Sequence, residues 1–315
     1  MYKLKQKPED FIVKEIFELD IDSSGKFACF LMKKTSYNTI DAIKTIAKKL
    51  NCKLKQIGFT GTKDRNAITY QFISIPRRFK KRAELLKLKD IELTFQGFTK
   101  ERISLGDHQG NNFEIIVRNA DIEPRPIKFI ENYFDEQRFS KNNVNVGFAI
   151  LKRNFKKAAK LLDLPEQDPI KQLRTLPKKQ LMFYIHAVQS FFWNEIVSEI
   201  VSESNCFRVD YSKGTFCFTN DIFYDESIPL LGFGTKFEYK QVEELYKKIM
   251  KKYSIYRRDF IINQIPELSS EGSERVIDVM IDNLVINKAD KAHLIKFTLP
   301  KGSYATIVIK KLFKS

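Results

Sequence analysis

The hydrophobic periodicity of this chain changes twice, and that constrains the fold more than any single motif. In the first 120 residues, short stretches alternate apolar with polar side chains, the mark of half-buried strands. Residues 10–19, 27–33, 70–75, 91–95 and 114–118 read this way, with a turn at 22–25 and a stop at Pro76. One amphipathic helix interrupts them, capped by Asn38 or Thr39 and running to Leu50. Apolar residues then recur at helical spacing over 148–164, 178–203 and 242–253, with breaks at Pro165, Pro169 and Pro177. Short strands at 216–218 and 222–224 are the exceptions. The end returns to the first pattern. Residues 275–279 read as a strand or a short helix, 293–299 alternate, 300–303 turn, and 304–312 read as a last strand. A β-rich start, an α-rich middle and a β-rich end predict an α/β (α+β) fold. The two ends would build one sheet, split by an inserted, mainly helical domain.

Composition narrows the partner. A chain of 315 residues allows two domains or one large one, and 43% hydrophobic residues suffice for a core. A net charge of +16 with a pI near 9.5 points to a polyanion. The basic residues form several clusters: Arg77 and Arg78 with Lys80, Lys81 and Arg82; Lys156, Lys157 and Lys160; and Lys247, Lys248, Lys251 and Lys252 with Arg257 and Arg258. Together they suggest a broad surface that could track a phosphate backbone. The 27 Phe and 12 Tyr offer stacking platforms for bases, although most must serve the core. Cys29, Cys52, Cys206 and Cys217 include no C-x-x-C pair, which argues against a zinc site or a dithiol motif and fits a reducing compartment. The three histidines, His108, His186 and His293, make no ligand pattern, so no metal is expected. No apolar run reaches the ~20 residues of a membrane span, and the N-terminus lacks a signal-peptide stretch. The expected compartment is the cytoplasm.

One loop stands out for chemistry. Gly58-Phe59-Thr60-Gly61-Thr62-Lys63-Asp64-Arg65-Asn66-Ala67 lies between the amphipathic helix and the strand at 70–75, a place where catalytic groups are often carried. Its one carboxylate, Asp64, sits between Lys63 and Arg65, and adjacent cations favour the ionised form. That suits a nucleophile or general base. An Asp in a glycine-rich turn is more often a turn former or cap, so the loop alone leaves both roles open. A phosphate-binding P-loop is excluded, because Gly58 and Gly61 are too close and Thr62 precedes Lys63.

Several motifs, in order along nearly the whole chain, resemble the TruD family of tRNA pseudouridine synthases. Lys5-Gln6-Lys7-Pro8-Glu9-Asp10-Phe11-Ile12-Val13-Lys14-Glu15 resembles its K-x-x-P-E-D-F-x-V-x-E opening. Residues 58–71 resemble its active-site segment, G-x-x-G-x-K-D-x-x-A-x-T-x-Q. Gly110-Asn111-Asn112-Phe113 resembles G-N-x-F. Asn132-Tyr133-Phe134-Asp135-Glu136-Gln137-Arg138-Phe139 resembles N-Y-F-G-x-Q-R-F, with Asp135 where the family usually has Gly. Residues 297–306 resemble F-x-L-P-x-G-S-Y/F-A-T.

The resemblance implies a pseudouridine synthase catalytic domain with a mixed, mostly antiparallel sheet, formed by 1–133 and 271–315, and an inserted TRUD domain at 134–270. It makes Asp64 the catalytic aspartate, places Lys5 near it, sets Asn111 in the active site and puts Phe113 where an aromatic stacks on the target uracil. It implies tRNA as the partner, with uridine 13 as the target, and an enzyme of the isomerase class. Lys63, Arg65, Arg77, Arg78 and Arg138 are candidate RNA contacts. The reaction imports no group and oxidises nothing, so no cofactor or metal is expected, and a monomer is the expected state. Asp64 could attack a carbon of the nucleotide or take a proton from the ribose. The competing reading is a non-catalytic basic RNA-binding protein or tRNA chaperone, for which Asp64 beside Lys63 has no purpose. A hydrolase lacks a second acidic motif placed with Asp64.

Overall fold

The computed structural model describes residues 2–120, 122–140, 142–289 and 292–313. The N-terminal part supplies strands β1 (Phe11–Ile16), β2 (Phe27–Thr35), β3 (Gly58–Phe59), β4 (Ile68–Pro76), β5 (Ile91–Thr99) and β6 (Gly110–Arg118), with helices α1 (Thr39–Leu50) and α2 (Lys80–Glu84). The middle supplies β7 (Phe129–Glu131), α3 (Asn143–Leu151), α4 (Phe155–Leu161), α5 (Pro169–Arg174), α6 (Lys178–Ser202), β8 (Cys206–Tyr211), β9 (Gly214–Thr219), β10 (Ser227–Leu230), α7 (Lys240–Tyr253), β11 (Ser273–Val276) and β12 (Asp278–Met280). The C-terminal part adds β13 (Asp282–Ala289), β14 (Ala292–Pro300) and α8 (Ala305–Phe313). Among the described residues, no helix is long and apolar enough to cross a membrane.

The main sheet has the order β13-β14-β6-β1-β4-β2-β5, with β3 beside β4. β1 and β4 run parallel, and the other pairs are antiparallel. Both ends of the chain build it, as the periodicity predicts. α1 forms because Asn38 Oδ1 accepts the Ile40 N–H at 2.9 Å, while Lys48 and Lys49 meet the negative end of the helix dipole. Its apolar stripe, Ala42, Ile43, Ile46, Ala47 and Leu50, packs with Ala28, Phe30 and Met32 of β2 and with Ile73 and Ile75 of β4. Two motif glycines are required by close backbone approach. A Cβ on Gly58 would lie 2.2 Å from the Ile103 carbonyl oxygen, and one on Gly110 would lie 2.5 Å from that of Leu299.

By their contacts the residues group into two compact units. One comprises Met1–Arg125 and Ile281–Ala305; the other comprises Pro126–Met280 and the chain from Thr306. These seams differ from the sequence division of 1–133 with 271–315 against 134–270. The reason is local pairing. β7 pairs with β12, with Glu131 opposite Asp278, so both flanks belong to the second unit. That unit is organised on α6, whose buried residues surround most of its circumference, Trp193, Phe192, Ile185 and Val188 among them. The Asn132-Tyr133-Phe134 stretch is anchored here. Asn194 bonds both the N–H and the carbonyl of Phe134, the Tyr133 hydroxyl donates to Cys217 O at 2.8 Å, and Arg275 donates to Asn132 O. Asp135, standing where the family motif usually has Gly, accepts the Thr306 hydroxyl at 2.6 Å and so ties α8 in place.

Three sequence expectations are corrected. Residues 304–312 form a helix, not a strand: burial of Ile307, Val308, Ile309, Leu312 and Phe313 and the Lys311–Glu131 ion pair at 3.0 Å outweigh the β-propensity of Ile and Val. Residues 222–224 are not a strand; the Tyr224 N–H donates to Asp278 Oδ2 instead of a ladder partner. The strand at 275–279 is two strands parted at Ile277, which lies between the ends of β11 and β12.

Asp278 generates a stability prediction. It is 4% exposed, and burial, reinforced by the Glu131 charge and opposed by Lys311, pushes its carboxyl up to about 7. A raised acid keeps its proton in the folded state over the window in which the unfolded chain has lost it. The stabilisation is therefore present below the unfolded value and lost as pH rises through about 7. Asp278→Asn should match wild type near pH 3 and exceed it increasingly as the pH rises, by on the order of 4 kcal/mol at pH 8 in denaturant titrations. A difference independent of pH would remove Asp278 as the titrating group.

Candidate active site

The loop from Phe59 to Ala67 has little regular structure, and buried polar side chains hold it. Glu15 on β1 is the central one. Its side chain is wholly buried, and its carboxylate accepts the Thr60 hydroxyl at 2.5 Å, the Phe72 N–H at 3.0 Å and Lys63 Nζ at 2.7 Å. Gln71 on β4 donates to Gly61 O at 3.0 Å and accepts the Thr39 hydroxyl, while Thr39 Oγ1 accepts the Lys63 N–H at 2.9 Å. The first residue of α1 and two neighbouring strands thereby set the loop's course.

Asp64 follows directly on this scaffold. Its Oδ2 meets Lys5 Nζ at 2.5 Å, joining residues 59 apart in sequence. The two side chains are 34% and 17% exposed, so the pair is open enough to meet a substrate. Lys5 has a φ of 53°, a left-handed conformation that residues other than Gly seldom adopt. Its ammonium also lies 4.2 Å over the Phe11 ring. Beneath the loop, Lys34 of β2 donates to the main-chain oxygens of Asp64 at 2.9 Å and Tyr37 at 2.6 Å.

The other expected site residues lie on β6. Asn111 stands opposite Glu15, and Phe113 stands opposite Val13 on one side and Phe297 on the other. Asn111 Oδ1 is buried and has no hydrogen-bond partner among the described residues. Such an orphaned acceptor is costly in a packed protein and suits a bound ligand. Phe113 is 7% exposed, stacked on Phe297 at 5.3 Å and edge-on to Phe11 at 6.2 Å. It is a core ring of the sheet as it stands. His108 also borders the loop. Its imidazole is held below the usual value, first by burial and then by the Lys63 charge, and its Nδ1 is buried without a partner.

The candidate RNA contacts divide. The Lys63 side chain is only 8% exposed and pairs with Glu15, because a buried carboxylate demands a counter-ion. Lys5, and not Lys63, is the cation on the Asp64 carboxylate. Arg65 and Arg78 are exposed. Arg77 is exposed but donates to Ser23 O and Gly25 O and lies 3.9 Å over Phe98, which fixes the 22–25 turn. Arg138, in the second unit, is half-buried over Phe183 at 4.9 Å. Lys34 carried no sequence signal as a site residue. Glu15 lies within the opening motif, and its period-two position facing the core was the available clue. Among the described residues, no group of three or more His, Cys, Asp or Glu side chains is placed to hold a metal ion.

A lysine-paired aspartate stands on a pinned loop beside a mixed sheet. The chain matches the family described as tRNA pseudouridine synthase D (TruD) over residues 2–163 and 220–312, and it belongs to that family. It is 30% identical to the tRNA pseudouridine synthase D of Aquifex aeolicus, over 99% of this chain and 98% of that protein. It is 31% identical to a probable tRNA pseudouridine synthase D 2 of Methanocaldococcus jannaschii, over 99% and 91%. The crystal structure of a putative tRNA pseudouridine synthase D from Methanosarcina mazei superposes with a TM-score of 0.72 at 26% identity, covering 99% of this chain and 93% of that one.

The loop anchor is open to test. Glu15→Ala strands Lys63 as an unpaired buried cation and removes two further bonds. It should lower stability by about 3–5 kcal/mol, the usual cost of breaking a buried pair. Replacing both partners, Glu15→Leu with Lys63→Met, should recover most of that loss in the same unfolding titration. Equal loss in the single and double variants would mean that the charge pair is not the origin.

Proposed function

We propose that this chain is a tRNA pseudouridine synthase in which Asp64 is the catalytic group and uridine 13 of tRNA is the target. The observation that carries this reading is the Lys5–Asp64 ion pair, which brings the opening motif and the glycine-loop motif to one point. Membership of the family and the names of the relatives support the reaction class. In this reading 134–270 corresponds to the family's inserted domain, and the enzyme acts as a cytoplasmic monomer.

The reaction is an isomerisation. The N1–C1′ bond breaks, the freed uracil turns, and a C5–C1′ bond forms. C5 loses a proton and N1 gains one, so atoms balance without a co-reactant. Asp64 acts either by attack on a nucleotide carbon or by removing a ribose proton. In both cases it must be held in place, which the ion pair with Lys5 and the pinned loop provide. The target base must leave its stack to reach this group. Asn111, with its unpartnered buried oxygen, is suited to bonding the flipped uracil, and Phe113 supplies an aromatic face if its packing on Phe297 opens. Arg65 and Arg78, both exposed, are suited to phosphates.

Asp64→Asn should abolish tritium release from tRNA carrying 5-tritiated uridine, with the melting temperature and tRNA affinity close to wild type. Release at the wild-type rate would remove Asp64 from the mechanism. The affinity itself should fall steeply with added salt, because each neutralised phosphate contributes roughly −0.7 to −0.9 to the slope of log K against log salt. A slope near zero would mean that the +16 charge is compositional and does not bind RNA.

A further inference from the structure

Lys34 is the most unusual charged group in the first unit. It is fully buried, and among the described residues it has no ion-pair partner; its acceptors are two main-chain oxygens, those of Tyr37 and Asp64. The neighbours paired with it across the sheet, Thr69 of β4 and Ile91 of β5, carry no charge. The charged groups that act on it come from the loop: Asp64, which favours the ammonium, and Lys63, which opposes it. Burying an ammonium without a carboxylate is costly, and an apolar side chain of similar volume commonly serves a core as well or better. The fold therefore has no need of this charge. The loop does, because a charge-assisted bond is roughly twice as strong as a neutral one, and Lys34 spends one on the peptide that carries Asp64.

We propose that Lys34 is a positioning residue for the reaction: its buried ammonium grips the main-chain oxygens of Asp64 and Tyr37 and so holds the Asp64 carboxylate against Lys5. The inference rests on the reading of Asp64 as the catalytic group. Burial pulls the Lys34 ammonium down to about 8. Above that pH the grip becomes two neutral hydrogen bonds, and the Asp64 peptide is released. Stability moves the other way. Between the folded value and the ordinary one, the unfolded chain binds the extra proton, so the Lys34 contribution to stability rises with pH. A loss of activity in this window is therefore not a loss of fold.

The test uses the full chain and tRNA carrying 5-tritiated uridine. Single-turnover tritium release is measured from neutral to alkaline pH for wild type, Lys34→Arg and Lys34→Met, with tRNA affinity and melting temperature at each pH. The wild-type rate should fall above pH about 8 while the melting temperature attributable to this group does not. Lys34→Arg, which stays charged, should carry its alkaline limb to higher pH. Lys34→Met should turn over about 10²-fold more slowly at neutral pH, the scale of losing one electrostatic support, with tRNA affinity unchanged. A wild-type rate that is flat through the window, or a Lys34→Met variant as fast as wild type, overturns the proposal. If neither variant folds, the wild-type profile decides alone. Wild type that releases no tritium from any tRNA overturns the functional reading and this inference with it; normal wild-type release with an indifferent Lys34 overturns this inference only.

Discussion

The buried carboxylate of Glu15 is the interaction on which the loop that carries Asp64 depends. A loop of this kind has few backbone bonds of its own, and its polar groups must be met by side chains or water. Glu15 accepts from a hydroxyl, a main-chain N–H and an ammonium, and two of the three belong to the loop. Because the carboxylate is fully desolvated, removing any partner leaves a charge that water cannot reach, so the arrangement holds as a unit. The strand that carries it, β1, is central in the sheet, between β6 and β4. The loop is thus anchored on the centre of the main sheet.

Around that anchor the cations are divided by task. Lys63 neutralises Glu15, Lys34 grips the main chain, and Lys5 meets the carboxylate of Asp64. Burial, opposed by the Asp64 charge and reinforced by that of Lys63, shifts Lys34 downward, and burial followed by the Lys63 charge lowers His108 beside them. Lys5 adds conformational strain, since a left-handed backbone costs on the order of 1–3 kcal/mol and persists only where surroundings enforce it. The left-handed Lys5 and the buried Lys34 and Lys63 thus all converge on this one loop.

The sheet was largely legible in the sequence, because period-two alternation reports burial directly. β1, β2, β4, β5, β6 and β14 fall where apolar and polar residues alternate, and α1 falls where a capping Asn precedes an apolar stripe. The errors have a common cause. Residues 304–312 are rich in β-branched residues and also carry a helical stripe, and only burial on every side decided for the helix. β8 was not anticipated, although Arg208, Val209, Asp210 and Tyr211 alternate exposed with buried. The seams between units depend on the pairing of β7 with β12, which joins residues more than 140 positions apart and leaves no local trace.

By itself, the sequence determined the class of fold and the family and singled out Asp64 as the candidate carboxylate, because motif order, alternation and charge are properties of neighbouring residues. The tertiary structure decided which cation serves which partner. Lys63, adjacent to Asp64 in the chain, turns to Glu15, while Lys5, 59 residues away, takes its place. Adjacent residues on an extended loop point to different sides, so proximity along the chain does not make an ion pair. Burial makes one, and burial is set only when β1, β2 and β4 are assembled and the nearest uncompensated charge must find a partner.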